Sequence, residues 1–446
     1  MKKRLLLLPL LLFPALFASA QETWTFSQCL DTALRRNISI NQARLTNQIN
    51  KVNLEQDKAT RYPNLSANVN EGLNLGKNID LTSNKFVTQA FNSTSANVNT
   101  GLNLFNGLQI RNSIRQSEID LEAGKKDIEK VINDITINVT AAYLQVLFSY
   151  EIVDAAKNQA DVTSQQEDRT AKLVNAGRLA ETNLLQIRAQ LASDKLAVVN
   201  AENQLQIAKL NLMQFMDLPL ADSFNIVKPL LQEPSMLQLQ TNEEVYKKSL
   251  EVQPQIAGAG LRTSSAETAI KISEGARWPK LNLSASLSSS YASSRVKESE
   301  VNPQGYHFFN QMWDNLGQSV GLNLSIPIYS NRQIQSNIER ARINAVSTRL
   351  DEQNVKNQLR KTVEQNYTDL VSAYKKYEAA KEQIANSQTS YRNLETKYNL
   401  GMSTAVDFLI EKNNFFQAQS NLIQARYDYF FKMKMLDFYQ GKPITF

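Results

Sequence analysis

The sequence has 446 residues and a formal net charge of +6, with 49 basic and 43 acidic side chains, one cysteine and one histidine. The lone cysteine, Cys29, excludes an intrachain disulfide, and the lone histidine, His307, excludes a multi-histidine metal site and leaves no convincing hydrolytic triad. No basic run is interleaved with aromatic residues, which argues against a nucleic-acid partner.

The first twenty residues, 1–20, have the pattern of a secretory signal peptide. Residues 2–4 (KKR) form a basic start, residues 5–17 are almost wholly apolar, and residues 18–20 (ASA) fit a cleavage site. We therefore expect the mature chain to begin at Gln21. The alternative is a membrane anchor, but about thirteen apolar residues are too few to span a bilayer. No later stretch predicts a transmembrane helix, which leaves open the weaker strand signal of a membrane β-barrel.

The mature chain reads as two copies of one plan. The junction RYPNL at 61–65 reappears as RWPKL at 277–281, and the helix-breaking glycines Gly177 and Gly401 lie 224 residues apart (401 − 177). Each copy reads helix, strand, strand, long helix, break and helix. We predict a first repeat at 21–241 with helices at 27–61, 107–174 and 182–216, and a second at 242–446 with helices at 242–277, 332–398 and 404–438.

The long helices carry apolar residues in alternating steps of three and four, which is the pattern of a coiled-coil seam. The row in the first copy is Ile128, Ile132, Ile135, Val139, Ala142 and Val146. A helix of about 68 residues is about 100 Å long at 1.5 Å per residue, and no compact globule contains such an element. Two shorter helices stacked end to end have about the same length as one long helix, so we expect a layered bundle of uniform height.

Between the short and long helices, apolar and polar residues alternate with the period of a β-strand. Strands are predicted at about 64–75, 93–104, 280–291 and 318–328. Their polar positions are Asn, Ser and Gly, and their length of about eleven residues suits a tilted membrane crossing better than two ordinary hairpins with one buried face. Four strands cannot close a barrel and open edges do not persist in lipid, so two, three or four chains must share one barrel.

The duplicated plan, the R-[YW]-P-x-L junctions at 61–65 and 277–281, and the G-x5-[DN]-x-L breaks at Gly177 and Gly401 together resemble the outer-membrane efflux protein family. The resemblance covers essentially the whole mature chain. It implies an α+β membrane protein in the outer membrane of a Gram-negative bacterium. The implied assembly is a homotrimer in which four strands per chain build one β-barrel above a long α-helical coiled-coil barrel in the periplasm.

The same resemblance implies a function. The chain would be a passive exit duct for tripartite efflux or type I secretion, joined to an inner-membrane pump by a periplasmic adaptor (membrane fusion) protein. It places the glycine breaks at the periplasmic entrance, where Thr182 and Thr404 are expected to cap the returning helices. The residues implied in the helix-tip turn and in adaptor docking are Gly177, Gly401, Ala176, Arg178, Leu400 and Met402.

The resemblance also implies a periplasmic gate. Tyr398 is expected to bond Asn183 where the family has an aspartate, and Ser403 is expected to face Thr182 where the family has a basic residue. Asp407 is expected to form an anionic ring across three chains, which would favour cations. Two of the family's charged gate positions are therefore uncharged here.

A third departure is Ile410, which stands where the family has a second aspartate. We therefore hypothesise that the gate closes less tightly than in a fully charged relative, or closes by apolar packing. Two simpler interpretations remain open. Asp407 could be an exposed residue that interacts with a helix N-terminus, and Tyr398 could pack in the coiled-coil seam.

The remaining segments carry weaker signals. The linker at 217–241 is expected to pack around the middle of the helical barrel. Residues 291–318 are expected to form an external loop whose aromatic side chains mark the membrane interface, or a lid over the barrel mouth. No cofactor, metal site or P-loop is predicted, and an enzyme has no support. The alternative function is a periplasmic or surface coiled-coil scaffold or adhesin without channel activity.

Overall fold

A computed structural model describes residues 23–80, 85–88, 90–219, 224–230, 233–234, 241–295 and 306–446. The predicted signal peptide at 1–20 lies outside the described residues, as do parts of the linker and of the loop at 291–318. The chain forms two compact units. The first contains residues up to Asn41, Ile132–Val252 and Lys361–Phe446, and the second contains Gln42–Val131 and Gln253–Arg360.

Each unit draws segments from both sequence repeats, so the repeats are a duplication along the chain rather than compact bodies. The elements in chain order are β1 (Thr23–Trp24), α1 (Phe26–Arg36), α2 (Ile38–Ala59), β2 (Asn64–Asn74), β3 (Lys77–Asp80), β4 (Lys85–Thr88), β5 (Phe91–Asn106), α3 (Gln109–Asn175), α4 (Glu181–Phe215), β6 (Asn225–Ile226), α5 (Asn242–Val252), α6 (Pro254–Gly275), β7 (Lys280–Ala292), α7 (Phe308–Asp314), β8 (Gly317–Ser325), α8 (Gln333–Asn399) and α9 (Ala405–Tyr439).

The second unit contains a four-stranded antiparallel sheet with the order β2-β5-β7-β8, so β2 and β8 are its edges. Directly paired residues share a face, and Leu283 pairs with Leu322 whereas Asn282 pairs with Asn323. One face is therefore mainly apolar, interrupted by the hydrogen-bonded pair Glu71 and Thr94, and the other is built from Asn, Ser and Gly. The apolar side chains on both edge strands are exposed in the chain, including Leu65, Val69, Leu73, Val320, Leu322 and Leu324.

The fourth strand ends earlier than predicted. It stops at Ser325 rather than near residue 328, because Pro327 has no N–H to donate to a strand ladder.

Helical segments of the second unit are joined by polar contacts as well as by packing. Arg262 on α6 donates to Asp127 on α3, and Thr263 on α6 donates to Glu352 on α8 at 2.7 Å.

The first unit contains the later part of α3, all of α4 and α9, and the later part of α8. The described part of the linker packs on α3. The hydroxyl of Tyr143, near the middle of α3, donates to the carbonyl oxygen of Val227 at 2.7 Å, and the hydroxyl of Tyr150 donates to Asn225 at 2.9 Å. Ile226 is buried and belongs to β6, which pairs with β1.

The single helices predicted at 27–61 and 242–277 are wrong, since each is two helices. Asn37 separates α1 from α2, and its side-chain oxygen accepts a hydrogen bond from the backbone N–H of Ser39 at 2.9 Å. Pro254 occupies the first position of α6, and Gln253 before it is extended as a residue preceding proline prefers to be. Both interruptions are local features, and an asparagine cap and a proline are signals that the sequence carries.

Three further features, made of five elements, were not predicted. They are the β1–β6 pair, the β3–β4 hairpin and the short helix α7. Among the described helices, α3 alone holds a stretch long and apolar enough to cross a membrane by length and composition, and 44% of that stretch is buried in the chain. A helix that packs in a protein core meets the same criterion.

Candidate functional site

The first helix break is a compact turn between α3 and α4. Gly177 has φ +70°, a conformation that glycine adopts without the steric cost borne by other residues. The backbone N–H of Arg178 donates to the carbonyl oxygen of Leu173 at 2.9 Å, and that of Gly177 donates to Val174 at 2.9 Å. These two bonds satisfy carbonyl groups at the end of α3 in the manner of a Schellman motif.

The second break repeats this geometry between α8 and α9. Gly401 has φ +75°, and the N–H of Met402 donates to the carbonyl oxygen of Lys397 at 2.8 Å. A Cβ built on either Gly177 or Gly401 would meet no atom within 4 Å. The requirement for glycine at both turns therefore comes from the positive φ and not from crowding.

The two predicted helix caps differ in outcome. Thr404 is the N-cap of α9, where its side chain accepts a hydrogen bond from the backbone N–H of Asp407 at 3.1 Å. The prediction for Thr182 is wrong, because the N-cap of α4 is Ala180, which makes no side-chain cap bond. The offset of 224 residues pairs Ala180 with Thr404 (404 − 180), so the duplication itself contained the correct assignment.

Asp407 lies in the first turn of α9, exposed to solvent. The hydroxyl of Thr404 donates to its Oδ2 at 2.7 Å, so the pair forms two reciprocal bonds. A carboxylate at a helix N-terminus is also favoured by the helix dipole. This arrangement supports the simpler interpretation of Asp407 as a residue of the helix start, and it leaves the carboxylate exposed at the turn.

Tyr398 is buried in the seam near the end of α8. Its ring stacks on Phe408 of α9 with centroids 5.0 Å apart and planes 14° apart, in a cluster with Ile187 and Ala405. Its hydroxyl shares a hydrogen bond of 3.3 Å with the hydroxyl of Thr170 on α3. The predicted Tyr398–Asn183 bond is thus absent within the described chain, and the hydroxyl is directed to α3 instead.

The other predicted site residues lie around the two turns, where Thr182 is exposed and Asn183 and Ser403 are partly buried. No hydrogen bond joins Ser403 to Thr182 within the described chain, and their expected contact at the gate stays a prediction. Ile410 is 55% exposed on α9. The residues expected to dock an adaptor are all exposed in the chain, namely Ala176, Gly177, Arg178, Leu400, Gly401 and Met402.

A buried polar cluster near the turns was not predicted from the sequence. Lys412 on α9 is 0% exposed and Asp194 on α4 is 2% exposed, and their Nζ and Oδ2 atoms are 2.7 Å apart. Thr163 on α3 donates to Oδ2 of Asp194 at 2.5 Å and accepts a hydrogen bond from Lys412. Gln159 and Gln190 donate to Oδ1 of Asp194 at 2.9 and 2.8 Å.

Burial lowers the pKa of Lys412 from its ordinary value, and the hydrogen bond and charge of Asp194 oppose that shift.

Lys412 and Asp194 both occupy seam positions, and the sequence pattern indicates this when charged residues are included in the helical periodicity. Lys412 continues the row of buried residues Ala405, Phe408 and Phe416 on α9. Asp194 lies in a row on α4 that includes Leu184, Ile187, Leu191, Ala201, Leu205 and Leu212.

The described residues contain no group of three or more His, Cys, Asp or Glu side chains that could hold a metal ion. Cys29, the free cysteine, is buried. The region of the two turns thus contains a helix cap at Thr404, a stacked aromatic pair, exposed apolar side chains and the buried Lys412–Asp194 ion pair.

A comparison with known proteins identifies a family that matches this chain. The family model for outer membrane efflux proteins matches residues 29–216 and 245–436. Outer membrane protein TolC of Escherichia coli is 25% identical over 315 residues, which cover 69% of this chain and 62% of TolC, less than two thirds of its length. Outer membrane efflux protein BepC of Brucella suis is 23% identical over 408 residues, which cover 91% of this chain and 82% of BepC.

The fold is also that of a solved channel. The CmeC outer membrane channel of Campylobacter jejuni superposes with a TM-score of 0.73 at 17% identity, over 93% of this chain and 85% of CmeC. The α+β class with a duplicated long-helix plan, expected from the sequence, is confirmed by this similarity together with the elements described above.

Proposed function

The chain belongs to the outer membrane efflux protein family, and on that premise we propose that it forms a passive exit duct in the outer membrane of a Gram-negative bacterium. The observation that carries the proposal is the four-stranded sheet, which has one mainly apolar face with exposed residues on both edge strands, one polar face and, within the described residues, two unpaired edges. An exposed apolar face marks a membrane or a protein interface, and its combination with a polar opposite face and open strand edges favours a membrane barrel over a scaffold or adhesin.

The sheet edges support a barrel shared between chains. Strand directions alternate from β2 to β8, so β8 of one copy can pair in antiparallel fashion with β2 of the next. Lipid offers no hydrogen bonds to an open edge, which makes closure obligatory in a membrane. Three copies would give a twelve-stranded barrel, the number that the family resemblance favours, with the apolar residues facing lipid and the Asn, Ser and Gly face lining the lumen.

We further propose that the turns at Gly177 and Gly401 form the periplasmic mouth. Exposed Leu400 and Met402 offer an apolar surface to an adaptor, with Arg178 beside the companion turn. Asp407 would place an anionic ring at the mouth, and Ile410 would add apolar side chains in place of a second ring. The entrance would then close by apolar packing more than by exposed charge pairs.

The duct would draw its energy from an inner-membrane pump, joined through a periplasmic adaptor. Small-molecule efflux and type I secretion of proteins share this exit, since the pump selects the cargo. The common duct would serve either pathway.

The test uses the full chain expressed in a Gram-negative host. We expect the protein to need detergent for extraction, to migrate as a heat-labile trimer, and to produce ion conductance in planar bilayers after purification. A host lacking its own outer-membrane exit ducts should regain tolerance to exported compounds only when the cognate adaptor and pump are present. Extraction without detergent, together with no conductance, would overturn the proposal.

A further inference from the structure

We propose that Lys412 and Asp194 are positioning residues for the mouth of the duct. Their buried ion pair would hold the first part of α9, which carries Asp407 and Ile410, in one register against α3 and α4. This inference rests on the proposed function, because it assigns a role at the proposed gate. It adds residues that lie outside the turns and outside the predicted gate contacts.

The pair connects three helices at one point. Lys412 extends from α9, Asp194 from α4 and Thr163 from α3, and the three side chains are hydrogen-bonded to one another. Both carboxylate oxygens of Asp194 are used, because Gln159 and Gln190 donate to Oδ1. Three of the four donors to this carboxylate come from α3 and α9, so a shift of either helix relative to α4 would break hydrogen bonds to Asp194.

The pair lies close to the gate residues along the helix. Lys412 is five residues after Asp407 and two after Ile410, which corresponds to about 7.5 and 3 Å along α9 at 1.5 Å per residue. A shift of α9 relative to α3 and α4 would therefore move the gate side chains and the ion pair together.

An apolar seam alone would not select a register as strictly. Phe408 and Phe416 on α9 and Ile187 and Leu191 on α4 are buried on the helices that carry the pair, but hydrophobic contacts are non-directional and so specify a register less strictly. Separating a buried ion pair leaves each charge without a partner, which is strongly unfavourable even where the pair itself adds little net stability. Register selection is the best-attested use of a polar group in a coiled-coil seam.

Comparison of the two repeats shows that the first repeat has no buried ion pair at the position equivalent to Lys412. The offset of 224 residues matches Lys412 with Arg188 (412 − 188) in the first repeat. Arg188 donates to Glu167 at 2.9 Å, and both of those side chains are partly exposed. The first repeat therefore has an ordinary surface ion pair at the equivalent position, whereas α9 has a buried one where it meets α3 and α4.

The test compares three variants of the full chain with the unmodified protein. Lys412→Met leaves Asp194 buried without its cation, and we expect a lower thermal midpoint. Lys412→Met combined with Asp194→Leu removes both charges, and we expect the thermal midpoint to recover. The matched control combines Lys432→Met with Asp369→Leu, which removes a Lys–Asp pair of 2.8 Å between α9 and α8.

The deciding measurement is amide hydrogen exchange of residues 405–416 in the detergent-solubilised protein. If the pair positions α9, the double variant should exchange there roughly tenfold faster than the unmodified protein, although its thermal midpoint has recovered. The control should leave this segment unchanged. If the double variant recovers both the thermal midpoint and the slow exchange, the pair is only a packing feature and the proposal is overturned.

Conductance separates this inference from the proposed function. A conducting unmodified protein whose double variant spends a larger fraction of time open, by roughly tenfold, would support both proposals. A conducting protein whose double variant keeps the same open fraction and slow exchange would overturn the positioning role alone. Absence of conductance in every form would count against the duct, while the exchange result would still decide whether the pair positions α9.

Discussion

Thr404 and Asp407 form a reciprocal pair at the start of α9, in which the Thr404 hydroxyl accepts from the Asp407 N–H at 3.1 Å and donates to its carboxylate at 2.7 Å. The matching position in the first repeat is Ala180, which makes no such bond. The two turns thus share a backbone geometry but differ in how firmly the returning helix begins.

The cap gives the first prediction. Thr404→Ala should destabilise the first turn of α9 by about 1 kcal/mol, because the Asp407 N–H loses its acceptor. Faster amide exchange at the start of α9 would reveal the loss. Ala180→Thr should slow exchange at the start of α4 by supplying the missing cap, and Thr182→Ala should change neither helix start. Equal effects of Thr404→Ala and Thr182→Ala would contradict the cap assignment.

The second prediction concerns the glycine turns. Gly401→Ala should destabilise the turn by roughly 1–2 kcal/mol, because a side chain at positive φ is strained, and Gly401→Val should cost more. The thermal midpoint, adaptor binding and conductance should all change. Gly260→Ala is the matched control, since Gly260 lies inside α6 with open space around it and alanine is the better helix former. Unchanged conductance and adaptor binding in Gly401→Val would argue against a functional turn.

The third prediction separates the ring of Tyr398 from its hydroxyl. Tyr398→Phe keeps the stack on Phe408 and loses only the 3.3 Å bond to Thr170, so it should destabilise by no more than about 1 kcal/mol. Tyr398→Ala should cost about 3–5 kcal/mol, because it empties a buried aromatic site. Asn183→Ala should be neutral in thermal unfolding and in conductance. If Asn183→Ala and Tyr398→Phe both open the channel, the predicted gate bond forms after all.

The fourth prediction tests the lipid-facing surface with two neighbouring residues on β8. Leu322 is 67% exposed on the apolar face, and Asn323 points to the other face. Leu322→Lys should cost about 2–4 kcal/mol if this face contacts lipid, which would reduce the heat-labile trimer in outer-membrane extracts. Asn323→Lys should assemble normally. In a water-soluble sheet the exposed Leu322 would accept lysine without loss, so equal trimer yields would contradict the membrane arrangement.

The fifth prediction follows from Cys29, which is fully buried in the first unit. Burial raises the pKa of its thiol from 9.0 to about 12. The folded protein therefore retains the proton over a pH range in which the unfolded chain releases it. The corresponding stability is complete below pH 9 and is lost as the pH rises toward 12, with a slope of up to about 1.4 kcal/mol per pH unit.

Cys29→Ala should have a shallower alkaline decline of unfolding free energy than the unmodified protein. The native thiol should also resist maleimide at pH 8 and react after denaturation, since the thiolate is the reactive form. Identical alkaline slopes in the two proteins would show that the thiol does not titrate abnormally.

Much of the fold was predictable because its signals are local. The long helices and the strands follow from apolar periodicity, and their ends fell within a few residues of α3, α4, α8 and α9. The errors also had local causes. Asn37 and Pro254 divide helices that periodicity alone joins into one, and the cap at Thr182 was misplaced although the 224-residue offset points to Ala180.

The sequence by itself determined the duplicated plan, the positions of the glycine turns and the membership of a channel family, because periodicity, glycine breaks and motif order can be read directly along the chain. Only the tertiary structure decided that Tyr398 meets Thr170 rather than Asn183, and that Lys412 meets Asp194. Those partners are more than 200 residues apart. Their contact depends on the register of helices from different repeats, which is set by the packing of the whole bundle and not by any local pattern.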